Sequence, residues 1–399
     1  MNWITGSEQC LLDLVARLDP ARYRAVVLCE QPMLAGAVEA LGVPVERVDT
    51  DWGVAAPRAG MARVRARVAD VLRAYDVRLV HVNVTSTLPA VLPPARRRRL
   101  PVVAHLHLPV TDEYERLHQL VHQADVSVGV AEHVIAPLQA DGVAPARLRV
   151  IYNGIDTDRL GCGDATGLRA SLGISAGASV AVAVGSLIQR KAHDVTIRAV
   201  AAARARGRDV QLLVCGSGPE EERLGALADA LGVVDAVHLL GHRNDVGAVI
   251  RDAGDVCVTS ARDETLGLNV LEAQWLGVPV IASDIPAHRE ALAVGVAGLL
   301  VPLDDVGALA DALLALVADQ ARRAAFGAAG PAAVAEKFSM TQYVTHFEAL
   351  YYELLRRPRG AYGWLRATTW PPVYSAYLRE VVVRKARRAL GAHAAAVDA

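Results

Sequence analysis

The sequence predicts an α/β protein built from two parallel sheets, each wrapped by helices. Three observations carry that prediction. Short β-branched strands alternate with helical segments through both halves of the chain, an order that parallel sheets with crossover helices accommodate. Between the halves, from Gly161 to Gly177, the composition turns to glycine, serine and aspartate and marks a linker. In the second half, DVCVTSARDETLGLNVLEAQWLGVPVIASDIPAHRE, Asp255 to Glu290, reads as strand, loop, helix, turn and strand.

In chain order, a turn at Gly6-Ser7 leads into an apolar helix pattern, Cys10 to Leu18, which ends before Asp19-Pro20. No strand precedes it. A doubly wound sheet without its central first strand has an unfilled slot, which suggests that Met1 is an internal methionine and that the natural protein begins upstream. Strands are expected at Tyr23–Cys29, Val43–Val48, Val77–Val84, Pro101–His107, Val126–Val130 and Leu148–Ile151, with helices at Ala35–Leu41 and Met61–Ala74 between them. Arg96 to Arg99 end a further helix, where cations complement the dipole and read as a solvated face. The Asn-Gly of VIYNGID is a turn that closes this half.

The second half repeats the alternation. Strands are expected at Val180–Val184, Gln211–Cys215, Val237–Leu240, Asp255–Ser260, Val278–Ser283 and Gly298–Leu303. Helices are expected at His193–Ala203, Leu268–Leu276, Val306–Ala318, Ala321–Glu336 and Phe338–Leu355. Gly216-Ser217-Gly218-Pro219 reads as turn geometry, with proline near the start of the next helix.

With 53% hydrophobic and 21% charged residues, the 399-residue chain has the composition of a soluble protein of two ordinary domains. A net charge of −1 excludes a generally basic nucleic-acid binder. Five cysteines without metal or redox spacing fit a reducing cytoplasm. No signal segment opens the chain, and uncharged runs such as Ala291 to Leu303 fall short of the roughly 20 residues that span a bilayer.

Loops at the carboxyl ends of parallel strands are where open α/β sheets bind ligands. Arg190 and Lys191 occupy one such loop, and two cations there can clamp a diphosphate. Glu264 lies in another, ahead of a helix that contains Glu272. Ionised carboxylates only accept hydrogen bonds, so their natural partners are hydroxyls, and two of them flanking a helix N-terminus suit two sugars with a diphosphate between. The bland reading of the pair is solvated helix charge. His105 and His107 end the strand PVVAHLH, where a histidine is either a satisfied structural group or a ligand contact.

The stretch that contains Gly267, Glu272, Ala273, Gly277, Pro279, Val280 and Glu290 closely resembles the donor-binding signature of family 4 glycosyltransferases. The likeness extends from about Gly6 to Leu355. TGSEQCLLDLVARL resembles the family's first glycine-rich loop and helix, with Gly6 either a working loop glycine or an ordinary turn. The loop holding Arg190 and Lys191 resembles the family's diphosphate loop, although Ser186 stands where arginine is usual. His107 matches the histidine the family puts close to the transferring sugar, and Leu108 replaces an acidic neighbour.

The resemblance implies the GT-B fold, two Rossmann-like domains facing across a cleft. Residues 1–156 would form the acceptor-side domain, 157–337 the nucleotide-sugar domain, 338–355 a helix crossing back and 356–399 a basic tail. It implies a retaining, metal-independent hexosyltransferase that moves a sugar from a nucleoside-diphosphate sugar to a hydroxyl acceptor, a glycan or lipid-linked glycan, with no cofactor. Polysaccharide biosynthesis is the setting it suggests. Arg190 and Lys191 would hold the diphosphate, Glu264 the donor sugar and Glu272 the ribose. Backbone groups of Leu266, Gly267 and Leu268 would assist the leaving group, and the segment at Arg243 would meet the base.

Two other readings stay open: a non-hydrolysing sugar-nucleotide 2-epimerase, and a donor-binding subunit that transfers weakly. The tail, with Trp364, Trp370 and an apolar stripe at Tyr374, Tyr377, Leu378, Val381 and Val382 beside arginines, suits either an anionic membrane surface or packing on the first domain. The first of these makes the protein cytoplasmic and peripheral on the inner face of the membrane.

Overall fold

A computed structural model describes residue 4 and residues 6–48, 57–109 and 120–358. The described residues fall into two compact units, one of residues up to Tyr152 joined by the chain from Tyr343 onward, the other Asn153–Gln342. The residues on which a missing first strand would be judged, 1–3 and 5, lie outside the described residues, as does the tail from 359 on.

In the first unit, helix α1 (Gly6–Arg17) precedes β1 (Val27–Cys29), α2 (Pro32–Ala40) and β2 (Val45–Arg47). After α3 (Pro57–Ala74) come β3 (Val80–Val82), α4 (Leu88–Arg97), β4 (Val102–Leu106), β5 (Val126–Gly129), α5 (Glu132–Ala140) and β6 (Leu148–Val150). All ladders are parallel. Strands β1 and β2 form one sheet and β3-β4-β5-β6 another, with no ladder joining β1 to β3 among the described residues. Every residue of β4 and β5 is buried, as in a parallel sheet covered on both faces, and the two strands are apolar except for His105 and Ser127.

The arginine run at the end of α4 is not uniformly solvated. Arg96 is 9% exposed and donates to Asp125 Oδ2 at 2.6 Å, and the same oxygen takes the Val102 N–H at 2.7 Å. The Leu100 and Gln123 carbonyls accept two more of its N–H groups. A planar fork with five donors suits this clamp between strand starts. The solvated reading therefore fails for Arg96.

The second unit starts with α6 (Thr157–Gly161) and α7 (Leu168–Ser171), then alternates β7 (Ser179–Val184), α8 (His193–Ala205), β8 (Val210–Cys215), α9 (Glu221–Ala230) and β9 (Val237–Leu239). A helical stretch at 246–253 leads to β10 (Val256–Thr259), α10 (Leu268–Trp275), β11 (Val280–Ser283), α11 (Pro286–Ala291), β12 (Gly298–Val301), α12 (Val306–Ala318) and α13 (Gln320–Lys337). Pro219 sits in the turn before α9 rather than in its first positions. The sheet order is β12-β11-β10-β7-β8-β9, all parallel. From β7 the chain winds outward through β8 and β9, then returns to β10 on β7's other side. The succession reverses between β7 and β10, which makes that junction the switch point of a doubly wound sheet.

Helix α10 is backed by α13 at van der Waals range. A methyl group on Gly327 would lie 2.3 Å from the Gly277 carbonyl oxygen, and one on Gly330 2.2 Å from that of Gln274. Only glycine lets the two backbones approach this closely. The last helix, α14 (Met340–Arg356), buries Tyr343, Phe347, Tyr351 and Leu354, and Tyr343 Oη donates to the Cys10 carbonyl at 3.0 Å. No helix of the described residues is long and apolar enough to cross a membrane.

Candidate functional site

The loops that follow β7 and β10 meet at the switch point of the second unit, and both carry charge. Buried β7 stops at Gly185, whose φ of +152° favours glycine; the Lys191 stem lies 3.4 Å from where its Cβ would stand. A 3₁₀ turn, Gln189–Lys191, then delivers both cations before α8. The loop after β10 is laced to it: the Arg262 N–H donates to the Arg190 carbonyl at 2.8 Å, and Arg190 Nη1 to the Asp263 carbonyl at 2.9 Å.

This lacing brings Glu264 between the cations. Lys191 Nζ pairs with Glu264 Oε2, Arg190 Nη1 lies 3.5 Å from Oε1, and Oε1 accepts the Thr265 N–H at 3.1 Å. Glu264 is 13% exposed and Lys191 17%. Burial works against the Glu264 carboxylate, yet Lys191, Arg190 and the Thr265 N–H outweigh it and hold its pKa below the ordinary value. With Arg262 and Asp263 included, three cations and two carboxylates leave the loop pair net positive.

Beside them opens the N-terminus of α10. Gly267 has φ +77°, which favours glycine, and a Cβ there would stand a tight 3.1 Å from His288 Cδ2. The Gly267 carbonyl and Asn269 Oδ1 take the Val270 N–H, whereas the N–H groups of Leu266, Gly267, Leu268 and Asn269 have no acceptor among the described residues. Asn269 Nδ2 donates to the Val184 carbonyl at 3.0 Å and pins the helix start to the end of β7. Free N–H groups next to two cations are chemically suited to an anion.

Glu272 lies in the second turn of α10, 14% exposed, with Arg159 Nη2 at 3.6 Å. Burial raises its pKa, and Arg159 opposes the rise. Arg159 sits on short α6, whose start is capped by Asp156 accepting the Arg159 N–H at 3.1 Å. At the end of β8 the turn glycines set the spacing: a Cβ on Gly216 would lie 1.9 Å from the Gly185 carbonyl oxygen, and one on Gly218 2.4 Å from that of Leu187. The Arg243 guanidinium is held by Asp245, with Nε donating to Oδ1 at 2.8 Å.

In the first unit, His107 follows β4 and Asn83 follows β3, and His107 Nε2 lies 3.0 Å from Asn83 Oδ1. Asn83 Nδ2 donates to the Ser7 carbonyl at 3.1 Å, in the first turn of α1, which begins at Gly6. Burial pushes the His107 pKa down to about 4, with Glu8 opposing. Its ring lies 4.2 Å, centroid to centroid, from buried His105, whose Nδ1 is 3.2 Å from His81 Nε2; His81 Nδ1 meets Tyr351 Oη at 2.6 Å. Burial also lowers the pKa values of His81 and His105, so this row is uncharged at neutral pH. Leu108 is 60% exposed beside it.

Thus Arg190, Lys191 and Glu264 converge with Leu266, Gly267 and Leu268, and Glu272 lies on the same helix. Gly6 and His107 belong to the other unit. Arg159 and Asn83 were not anticipated. Asn83 was open to the strand-end logic that singled out His107, whereas Arg159 carries no local signal.

Residues 4–159 match the family model described as Glycosyltransferase Family 4, and residues 164–333 that described as Glycosyl transferases group 1. The chain is 39% identical over 147 residues to a phosphatidyl-myo-inositol mannosyltransferase of Mycobacterium leprae, covering 36% of this chain and 38% of that one. It is 36% identical over 206 residues to a D-inositol 3-phosphate glycosyltransferase of a Mycobacterium species (strain KMS), covering 49% and 45%. The match therefore spans less than half the length of either relative. Among solved structures, Anabaena HepE in complex with UDP and glucose superposes with a TM-score of 0.77 at 22% identity, covering 88% of this chain and 97% of that one, a likeness of fold.

Proposed function

The chain belongs to the family 4 glycosyltransferases of the GT-B fold, and on that premise we propose that it transfers a sugar from a nucleoside-diphosphate sugar to a hydroxyl acceptor, with retention of configuration and without a metal. The observation that carries this reading is the meeting of Arg190, Lys191 and Glu264 at the sheet's switch point, beside the open N–H groups of α10. A diphosphate needs cations and N–H donors; a sugar needs hydrogen-bond acceptors. This arrangement offers both within one loop pair.

In the proposed complex Lys191 and Arg190 turn to the diphosphate, and Glu264, released from Lys191, accepts from hydroxyls of the donor sugar. Glu272 accepts from the ribose. As the bond to the anomeric carbon breaks, negative charge grows on the leaving phosphate, where Lys191, Arg190 and the N–H groups of Leu266 to Leu268 stabilise it. The acceptor attacks from the leaving group's face and its proton passes to that phosphate, which retains configuration. His107 meets a substrate hydroxyl in the first unit. The backbone near Arg243 serves the base.

HepE structures hold UDP and UDP-glucose, so a uridine-diphosphate hexose is the first donor to test. The names of the mycobacterial relatives make inositol-bearing molecules the first acceptors, alongside glycans and lipid-linked glycans. A cytoplasmic site of action, peripheral to the membrane through residues 356–399, completes the proposal.

The test is native mass spectrometry of the protein with a panel of nucleotide sugars, followed by incubation of the bound one, isotopically labelled, with and without acceptors. Transfer that requires an acceptor supports the reading. Failure to bind any nucleotide sugar, or conversion of the sugar without an acceptor as an epimerase would achieve, overturns it.

A further inference from the structure

Asn83 joins three elements of the first unit, and its amide has only one orientation that satisfies them. The Ser7 carbonyl oxygen can only accept, so the group facing it at 3.1 Å is the Asn83 NH₂. The amide oxygen is thereby turned to His107 Nε2, at 3.0 Å. An amide oxygen carries no proton, so the hydrogen in that contact belongs to Nε2. In a neutral imidazole the other nitrogen is then bare. His107 Nδ1 has no partner among the described residues, and burial keeps the ring neutral.

We propose that Asn83 is a positioning residue that locks His107 in its Nε2–H tautomer, leaving Nδ1 as a hydrogen-bond acceptor for a substrate hydroxyl. A phosphate or carboxylate, which brings only lone pairs, is disfavoured there, and Glu8, close enough to influence the His107 ring, adds to that preference. A neutral alcohol or sugar hydroxyl is the chemical class that fits. The hydroxyl role rests on the transferase reading above. The tautomer lock does not, because it concerns groups already in contact without a ligand.

The experiment is nitrogen-15 NMR of histidine-labelled full-length protein at neutral pH, in which long-range couplings distinguish the two neutral tautomers. His107 is identified among the 12 histidines by the signals lost in His107→Ala. The wild-type ring should show protonated Nε2 and bare Nδ1, and Asn83→Leu should shift it towards the Nδ1–H form. Asn83→Asp gives up the donor to the Ser7 carbonyl but keeps an acceptor toward His107; in the folded protein it should retain the Nε2–H tautomer and raise the midpoint of His107 titration by about one to three pH units. A wild-type ring protonated at Nδ1 overturns the proposal. So does a folded Asn83→Leu protein whose His107 signals are unchanged, or an Asn83→Asp protein whose His107 titrates as in wild type. Failure of the wild-type protein to bind any nucleotide sugar, with the tautomer intact, would instead count against the transferase reading alone.

Discussion

Lys191 and Glu264 form an ion pair across the ends of adjacent strands β7 and β10, and Arg190 stands 3.5 Å from the carboxylate's second oxygen. Each partner holds the other in a place that, in the proposed reaction, a ligand takes over. The pair thus keeps two opposite charges poised in a site where either alone would be poorly solvated.

Lys191→Ala should lower turnover through loss of a contact that strengthens as charge grows on the leaving phosphate, costing about 2 to 4 kcal/mol in the barrier. Glu264→Ala should lower turnover more than it weakens binding of the free nucleotide diphosphate. Steady-state kinetics beside calorimetric titration with UDP separates the two effects. Wild-type turnover by both variants with several acceptors would remove the site from the reaction.

The same pair has a pH signature. The folded-state pKa of Glu264 lies below its unfolded value, so its contribution to stability is complete at neutral pH. It disappears as pH falls through the folded value, below the usual carboxylate pKa of about 4.3. Thermal melts from pH 7 to pH 3 should show this acid-side loss in wild type and a smaller one in Glu264→Gln.

Glu272 behaves in the opposite sense. Burial raises its pKa, and Arg159 is the group that restrains the rise. Arg159→Leu should therefore leave Glu272 protonated to a higher pH and weaken nucleotide binding. The pH at which UDP affinity declines should move upward relative to wild type. An unchanged pH profile would detach Arg159 from nucleotide binding.

Arg96→Ala tests a structural site in the first unit. It leaves Asp125, 12% exposed, without its cation, and breaking a partly buried pair in this way should cost up to about 3 kcal/mol, the lower end of the range for fully buried pairs. Denaturant unfolding measures it; a change below about 1 kcal/mol would mean that water replaces the guanidinium.

The sheets were legible because period and composition are local. β7 is expected over Val180–Val184 and observed over Ser179–Val184, and α12 is expected and observed over Val306–Ala318. Element ends shift by a few residues, as at Tyr23, the expected start of a strand observed to begin four residues later at Val27. The convergence of Arg190, Lys191 and Glu264 was legible through strand-end placement. Arg159 beside Glu272, and the pairing of Arg96 with Asp125, join segments distant in sequence, which no periodicity encodes.

The contact between α13 and α10 bears on how the chain can change over time. Gly327 and Gly330 sit in the alanine-rich run AAFGAAGPAA, and by helix propensity each is an obvious candidate for replacement by alanine, worth about 1 kcal/mol. Each such replacement would drive a methyl group into the carbonyl oxygens at the back of α10 and displace the helix that carries Leu268 and Glu272. Mutational tolerance should therefore be low in a stretch without a single polar side chain, and a thermostabilised variant chosen by propensity alone would become sturdier as a helix and poorer as a receptor for nucleotides.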